Sequence, residues 1–127
     1  MPRTILIVDD TPHSASTLEV ALLAIPGASV VHACSGGRAL EMLEAGSPEA
    51  VDILVTDLHM PSMDGFELVA RVRARFDRLP IVVLSGDTDP ATPERLRRLG
   101  VDAYFAKPYS PAQVRKKVEE LLDATLG

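Results

Sequence analysis

Five runs of β-branched and aliphatic residues recur along the chain at intervals of about 25 positions. They are "TILIV" (4–8), "SVVHA" (29–33), "DILVT" (52–56), "IVVLS" (81–85) and "AYFAK" (103–107). Three of them are nearly continuous apolar runs, the pattern of strands covered on both faces. Between the runs, apolar residues return at helical spacing. Leu18, Leu22 and Ile25 share one face of a first helix, Leu40 and Leu43 of a second, and Val69, Val72 and Phe76 of a third. Leu96 and Leu99 anchor a short fourth, and Val114, Val118, Leu121 and Leu122 form the stripe of a fifth.

The punctuation agrees. Thr11-Pro12, Thr92-Pro93 and Ser110-Pro111 each set an oxygen-bearing cap before a proline suited to the first helical position, and Ser35 can cap the second helix. Gly27, Gly46 and Gly100 fall where helices end. Strand and helix alternating to the end predict an α/β fold, a doubly wound parallel sheet with right-handed crossovers and helices on both faces. The length of 127 residues fits one domain, residues 1–127, with a sufficient core of its own.

Composition changes this picture little. The chain is 46% hydrophobic and 24% charged, as in an ordinary globular protein. A formal net charge of −5 and basic clusters ("RVRAR", 71–75; "RLRR", 95–98) spaced like solvated helix faces predict no nucleic-acid surface. No apolar stretch reaches membrane-spanning length, and "MPRTILIVDD" is too short in its apolar core for a signal peptide, so a cytoplasmic location is expected. The single cysteine, Cys34, ends an apolar run and reads as a buried structural thiol in a reducing compartment.

The chemistry lies at the strand ends. In a parallel sheet every carboxyl end lies along one edge, where ligands bind. After the first run comes Asp9-Asp10, after the third Asp57, after the fourth Ser85-Gly86 and after the fifth Lys107-Pro108. Three converging carboxylates repel one another unless a cation intervenes. A hard, oxygen-ligated divalent ion, Mg²⁺ (or Mn²⁺), suits them, and Lys107 adds a second positive charge. Together they suit a doubly charged tetrahedral oxyanion.

These residues, with the segment "TDLHMPSMDG", Ser85, Tyr104 and Lys107-Pro108, make the chain resemble the receiver domain of two-component response regulators over essentially its whole length. The resemblance implies a flavodoxin-like sheet in the order 2-1-3-4-5 with five helices. It further implies phosphorylation of Asp57, with Mg²⁺ held by Asp10, Asp57 and the backbone carbonyl of His59, and by Asp9 largely through water. Lys107 and the Ser85 hydroxyl would contact the phosphoryl oxygens, Ser85 and Tyr104 would act as the switch, and the peptide before Pro108 would be cis. The implied output is a changed surface on the fourth helix, fifth strand and fifth helix. Implied partners are a sensor histidine kinase or histidine phosphotransfer protein and a downstream target or output domain; the resemblance also leaves room for a homodimer with a second copy of the chain.

Two further residues are expected to border the pocket mouth. His59 lies two after Asp57 and Asp87 two after Ser85; paired across the mouth, they would tune the lifetime of the phosphorylated form. His13 and His32 lack the partners a metal ligand or relay needs. Two rival classes remain to be weighed. A haloacid-dehalogenase-type phosphatase would want an aspartate where His59 stands, and a cap domain. A receiver-like module that never carries phosphate would lack some of Asp10, Asp57, Ser85 or Lys107, and all four are present. No independent substrate turnover is expected.

Overall fold

The computed structural model describes residues 3–9, 12–46, 50–58 and 63–126, with the side chains of 12–16, 125 and 126 outside that description. The three continuous apolar runs become the buried centre of the sheet. They are β1 (Arg3–Val8), β3 (Ile53–Asp57) and β4 (Ile81–Ser85), and from Thr4 onward every one of their residues is buried. The two mixed runs become the edges, β2 (Ala28–Ala33) and β5 (Ala103–Ala106). All pairings are parallel and the order is β2-β1-β3-β4-β5. This is the flavodoxin-like order.

Side chains alternate across the sheet and split the core in two. Leu6, Val8, Leu54, Ile81 and Val83 face α2 (Gly36–Ala45), α3 (Gly65–Arg75) and α4 (Thr92–Arg98). Ile5, Ile7, Ile53, Val55, Val82 and Leu84 face α1 (Pro12–Leu23) and α5 (Pro111–Leu126). Leu18, Leu22, Val114, Val118 and Leu122, read from helical spacing, are buried there. Each such side chain, fully withdrawn from water, contributes about 1.5–3 kcal/mol before entropic costs.

Local chemistry sets most helix ends. Ser35 Oγ accepts the Arg38 N–H at 3.1 Å and Asp64 Oδ1 accepts the Glu67 N–H at 2.8 Å, capping α2 and α3. Gly46 ends α2 at φ 64, in the left-handed region a side chain resists. At its far end from the strand tips, α3 is tied down by Arg73. Its guanidinium donates to the carbonyls of Phe76 (3.1 Å), Asp77 (2.9 Å) and Gly100 (2.7 Å) and to Asp102 Oδ2 (3.3 Å). The same Asp102 oxygen accepts the Ile81 N–H at 2.8 Å, so one cluster joins α3, the start of β4 and the turn after α4.

Three expectations need correction. Cys34 is exposed rather than buried, because β2 is an edge strand and the chain leaves the sheet at Ala33. Thr92 is the first residue of α4 and not its cap; the cap position belongs to Ala91, which supplies no side-chain hydrogen bond. Asp57 does not follow β3 but is its last residue, paired in register with Leu84.

Candidate functional site

The carboxyl ends of β1, β3, β4 and β5 bring the predicted residues to one edge. Val8 is in register with Thr56, which sets Asp9 and Asp57 level on adjacent strands one step further. Both are buried, each 8% exposed. Asp9 is held by its own N–H, which donates to the Ala33 carbonyl at 3.1 Å. Asp57 is rooted in a strand with no exposed face, so its carboxylate has little freedom to wander.

Across the edge, the Lys107 N–H donates to the Ser85 carbonyl at 2.8 Å, carrying the β4–β5 ladder one residue past β5. Its side chain reaches back, and Nζ donates to Asp57 Oδ2 at 2.7 Å. Burial opposes the ammonium's charge. The hydrogen bond to Asp57 and the charges of Asp57, Asp9 and Tyr109 outweigh it, and the pKa ends above its ordinary 10.5. The Lys107–Pro108 peptide is cis.

Ser85 has no exposed surface, and its Oγ accepts the Asp87 N–H at 2.9 Å. Tyr104 is half-buried on β5 in register with Val83, against the layer that holds α4. Asp87 sends its carboxylate toward α4: Oδ2 accepts the Thr92 hydroxyl and Oδ1 the Asp89 N–H, both at 2.9 Å. Asp10 and His59, and with them the expected pairing of His59 with Asp87, lie outside the described residues.

Two neighbours were not among the expected site residues. Tyr109 sits within the field of Lys107, Asp9 and Asp57; burial pushes its phenol above the ordinary 10.0, with Lys107 pulling the other way and the two carboxylates adding to the rise. Its only signal was its position two after Lys107. Gly65 opens α3 against the back of the end of β3, its N–H donating to the Leu58 carbonyl at 2.6 Å. A Cβ there would lie 2.6 Å from Leu58 Cα and 2.8 Å from the Asp57 carbonyl oxygen, so the approach requires glycine. In sequence alone an Asp-Gly pair signals only a turn.

The donor set fits a hard cation. Two buried carboxylates stand level on adjacent strands beside one ammonium, an oxygen-only set with negative charge in excess. Among the described residues no group of three or more acidic, His or Cys side chains gathers, and Asp9 and Asp57 are the members of the expected ligand set that lie within them.

A family model described as the response regulator receiver domain matches residues 5–119. The chain belongs to that family. Receiver relatives align over nearly the whole length. A chemotaxis protein CheY homolog of Campylobacter jejuni is 30% identical over 125 residues, covering 97% of this chain and 95% of its own. Chemotaxis protein CheY1 of Helicobacter pylori is 32% identical over 120 residues, 93% of this chain and 95% of its own. Among solved structures, a putative response regulator from Chloroflexus aurantiacus superposes with a TM-score of 0.86 at 34% identity, over 97% of this receiver and 99% of that chain. The protein is thus a CheY-like receiver domain of two-component systems. No helix among the described residues of the receiver is long and apolar enough to cross a membrane.

Proposed function

We propose that this receiver accepts a phosphoryl group on the Asp57 side chain. The observation that carries the reading is the buried Asp57 carboxylate, fixed at the end of β3, with Lys107 Nζ at 2.7 Å and Asp9 level beside it. Phosphoryl transfer asks a protein mainly for positioning and charge neutralisation, and this edge supplies both. An Asp57 carboxylate oxygen forms a bond to the donor's phosphorus as the bond from phosphorus to the leaving nitrogen or oxygen breaks. The leaving group departs with that electron pair and takes a proton from solvent. The product is an acyl phosphate, which water returns to carboxylate and phosphate.

Asp9 and Asp57, with Asp10 and the His59 carbonyl, would hold Mg²⁺ (or Mn²⁺), which supplies charge neutralisation between phosphoryl oxygens and carboxylates. Lys107 neutralises the phosphoryl oxygens from the β5 side, exchanging its bond with Asp57 for one with the new anion. The Ser85 hydroxyl donates to a phosphoryl oxygen from β4, and Tyr104 follows it inward, shifting the population of α4, β5 and α5 arrangements. The donor is a histidine kinase or phosphotransfer protein docking beside α1 and Tyr109. The protein turns over no independent substrate and works in the cytoplasm.

Incubation with Mg²⁺ and acetyl phosphate, followed by intact mass measurement, tests the reading. A gain of one phosphoryl group that disappears in Asp57→Asn and under EDTA is expected. An unchanged mass in the wild type would leave a receiver-like interaction module in its place.

A further inference from the structure

The short β4–α4 loop does more than join two elements. Ser85 Oγ accepts the Asp87 N–H, so the oxygen of the hydroxyl assigned to the phosphoryl group is tied to this loop, although its O–H is not spent on that bond. The Asp87 carboxylate reaches the other way, taking the hydroxyl of Thr92 at 2.9 Å. Thr92 is 3% exposed and begins α4, a helix that buries only Thr92 and Leu96. Its cap residue, Ala91, offers no side-chain oxygen. Asp89 fills in behind: its Oδ1 accepts the Ala91 N–H at 2.9 Å and its carbonyl the Thr92 N–H at 3.1 Å. The start of α4 is therefore anchored through Asp87 rather than by its own cap, with a carboxylate at the positive end of the helix.

We propose that Asp87 is a positioning residue: it latches the first residue of α4 to the Ser85 hydroxyl and so holds the receiver in its unphosphorylated arrangement. The inference rests on the reading of Ser85 as a phosphoryl-binding hydroxyl. A serine hydroxyl that swings toward a new anion withdraws the acceptor from the Asp87 N–H. The loop that carries the Asp87 carboxylate then loses its hold on strand β4, and α4 loses the partner of Thr92. One residue thus links the chemistry at β4 to the position of α4. It also opposes phosphorylation, because the latch is made in only one of the two arrangements.

The test uses Thr92→Val, which removes the Asp87 partner at nearly constant volume without touching Asp57, Ser85 or Lys107. Hydrogen exchange of amides 92 and 94–96 in the unphosphorylated full chain is compared for wild type, Thr92→Val, Asp87→Ala and the double variant. Thr92→Val is expected to speed exchange by about ten- to a hundredfold, the loss of one hydrogen bond to a carboxylate; Asp87→Ala, which also takes the acceptor from the Asp89 N–H, should do at least as much, and the double variant no more than Asp87→Ala. The initial rate of phosphorylation by acetyl phosphate should rise by about fivefold in Thr92→Val, as the competent arrangement becomes more populated. Thr92→Ser, which restores the hydroxyl, should return both readouts toward wild type. Wild-type exchange in Thr92→Val, additive effects in the double variant, or an unchanged or lower phosphorylation rate would each overturn the latch. A wild type that takes up no phosphate would instead refute the phosphoacceptor reading, so the two failures are distinguishable.

Discussion

Gly65→Ala is the sharpest single perturbation of this site, because it acts on Asp57 from behind. The added Cβ would lie 2.6 Å from Leu58 Cα, 2.8 Å from the Asp57 carbonyl oxygen and 2.9 Å from Leu58 Cδ1. Carbon atoms pack comfortably at about 3.5–4.0 Å, so relief requires movement of about 1 Å. Two of the three obstructing atoms are backbone, and the strand they continue is buried along its whole length. Neither can turn aside as a flexible side chain would. Overpacking of this kind costs about 1–3 kcal/mol, and the rigid neighbours favour the upper half. Alanine returns up to about 1 kcal/mol through helix propensity, less at a first helical position. A net loss of about 2 kcal/mol follows, which for a domain of this size lowers Tm by about 6–10 °C. Displacing the Asp57 backbone by a similar distance should slow phosphorylation by about one to two orders of magnitude. Gly37→Ala is the matched control. It lies in α2 with nothing within 4 Å of its Cβ position, and should stabilise by about 0.5–1 kcal/mol. Urea unfolding at constant m, with phosphorylation followed by mass, measures both. A Gly65→Ala protein with wild-type midpoint and rate would refute the reasoning.

Other consequences are equally open to measurement. Lys107 and Tyr109 both have folded pKa values raised above their ordinary 10.5 and 10.0. For each, the protonated form is favoured in the fold, so stability is full below those values and falls as pH rises beyond about 10. Lys107→Met and Tyr109→Phe should each flatten the loss between pH 9 and about 11 in urea titrations, and an unaltered slope would contradict the assignment. Asp102→Ala strips the Ile81 N–H of its acceptor and Arg73 of its carboxylate, and should cost about 1–3 kcal/mol in the same assay. Arg73→Lys should lose part of this as well, since an ammonium cannot span four acceptors. Raising Mg²⁺ to ten times its dissociation constant at fixed ionic strength should add about 1.4 kcal/mol to stability, seen as a rise in Tm that Asp9→Asn removes.

The layers of the fold were legible because burial writes itself into composition. Continuous apolar runs became β1, β3 and β4, while the mixed runs with Ser29 and His32 or with Lys107 became edges. The meeting of Asp57 and Lys107 followed from topology once the strands were parallel, since both stand at carboxyl ends. What remained hidden depends on distances no pattern encodes. Thr92 before Pro93 looked like a cap, but its hydroxyl donates to Asp87 and the cap position falls on Ala91. Cys34 looked like the end of a buried run, but β2 has only one neighbour. Gly65 carries no pattern that marks it out, and only the packing of α3 on Leu58 shows why nothing larger fits.

The Arg73 cluster gives α4 two unlike ends. The turn that follows the helix is gripped by a guanidinium shared with α3, while the opposite tip depends on a few bonds in the loop from Ser85. A rod clamped at one end and lightly held at the other pivots instead of sliding. Any rearrangement of α4 is therefore amplified at the tip that follows β4 and damped toward Gly100, and a partner that senses such a change has most to gain by gripping the helix near Thr92 and Pro93.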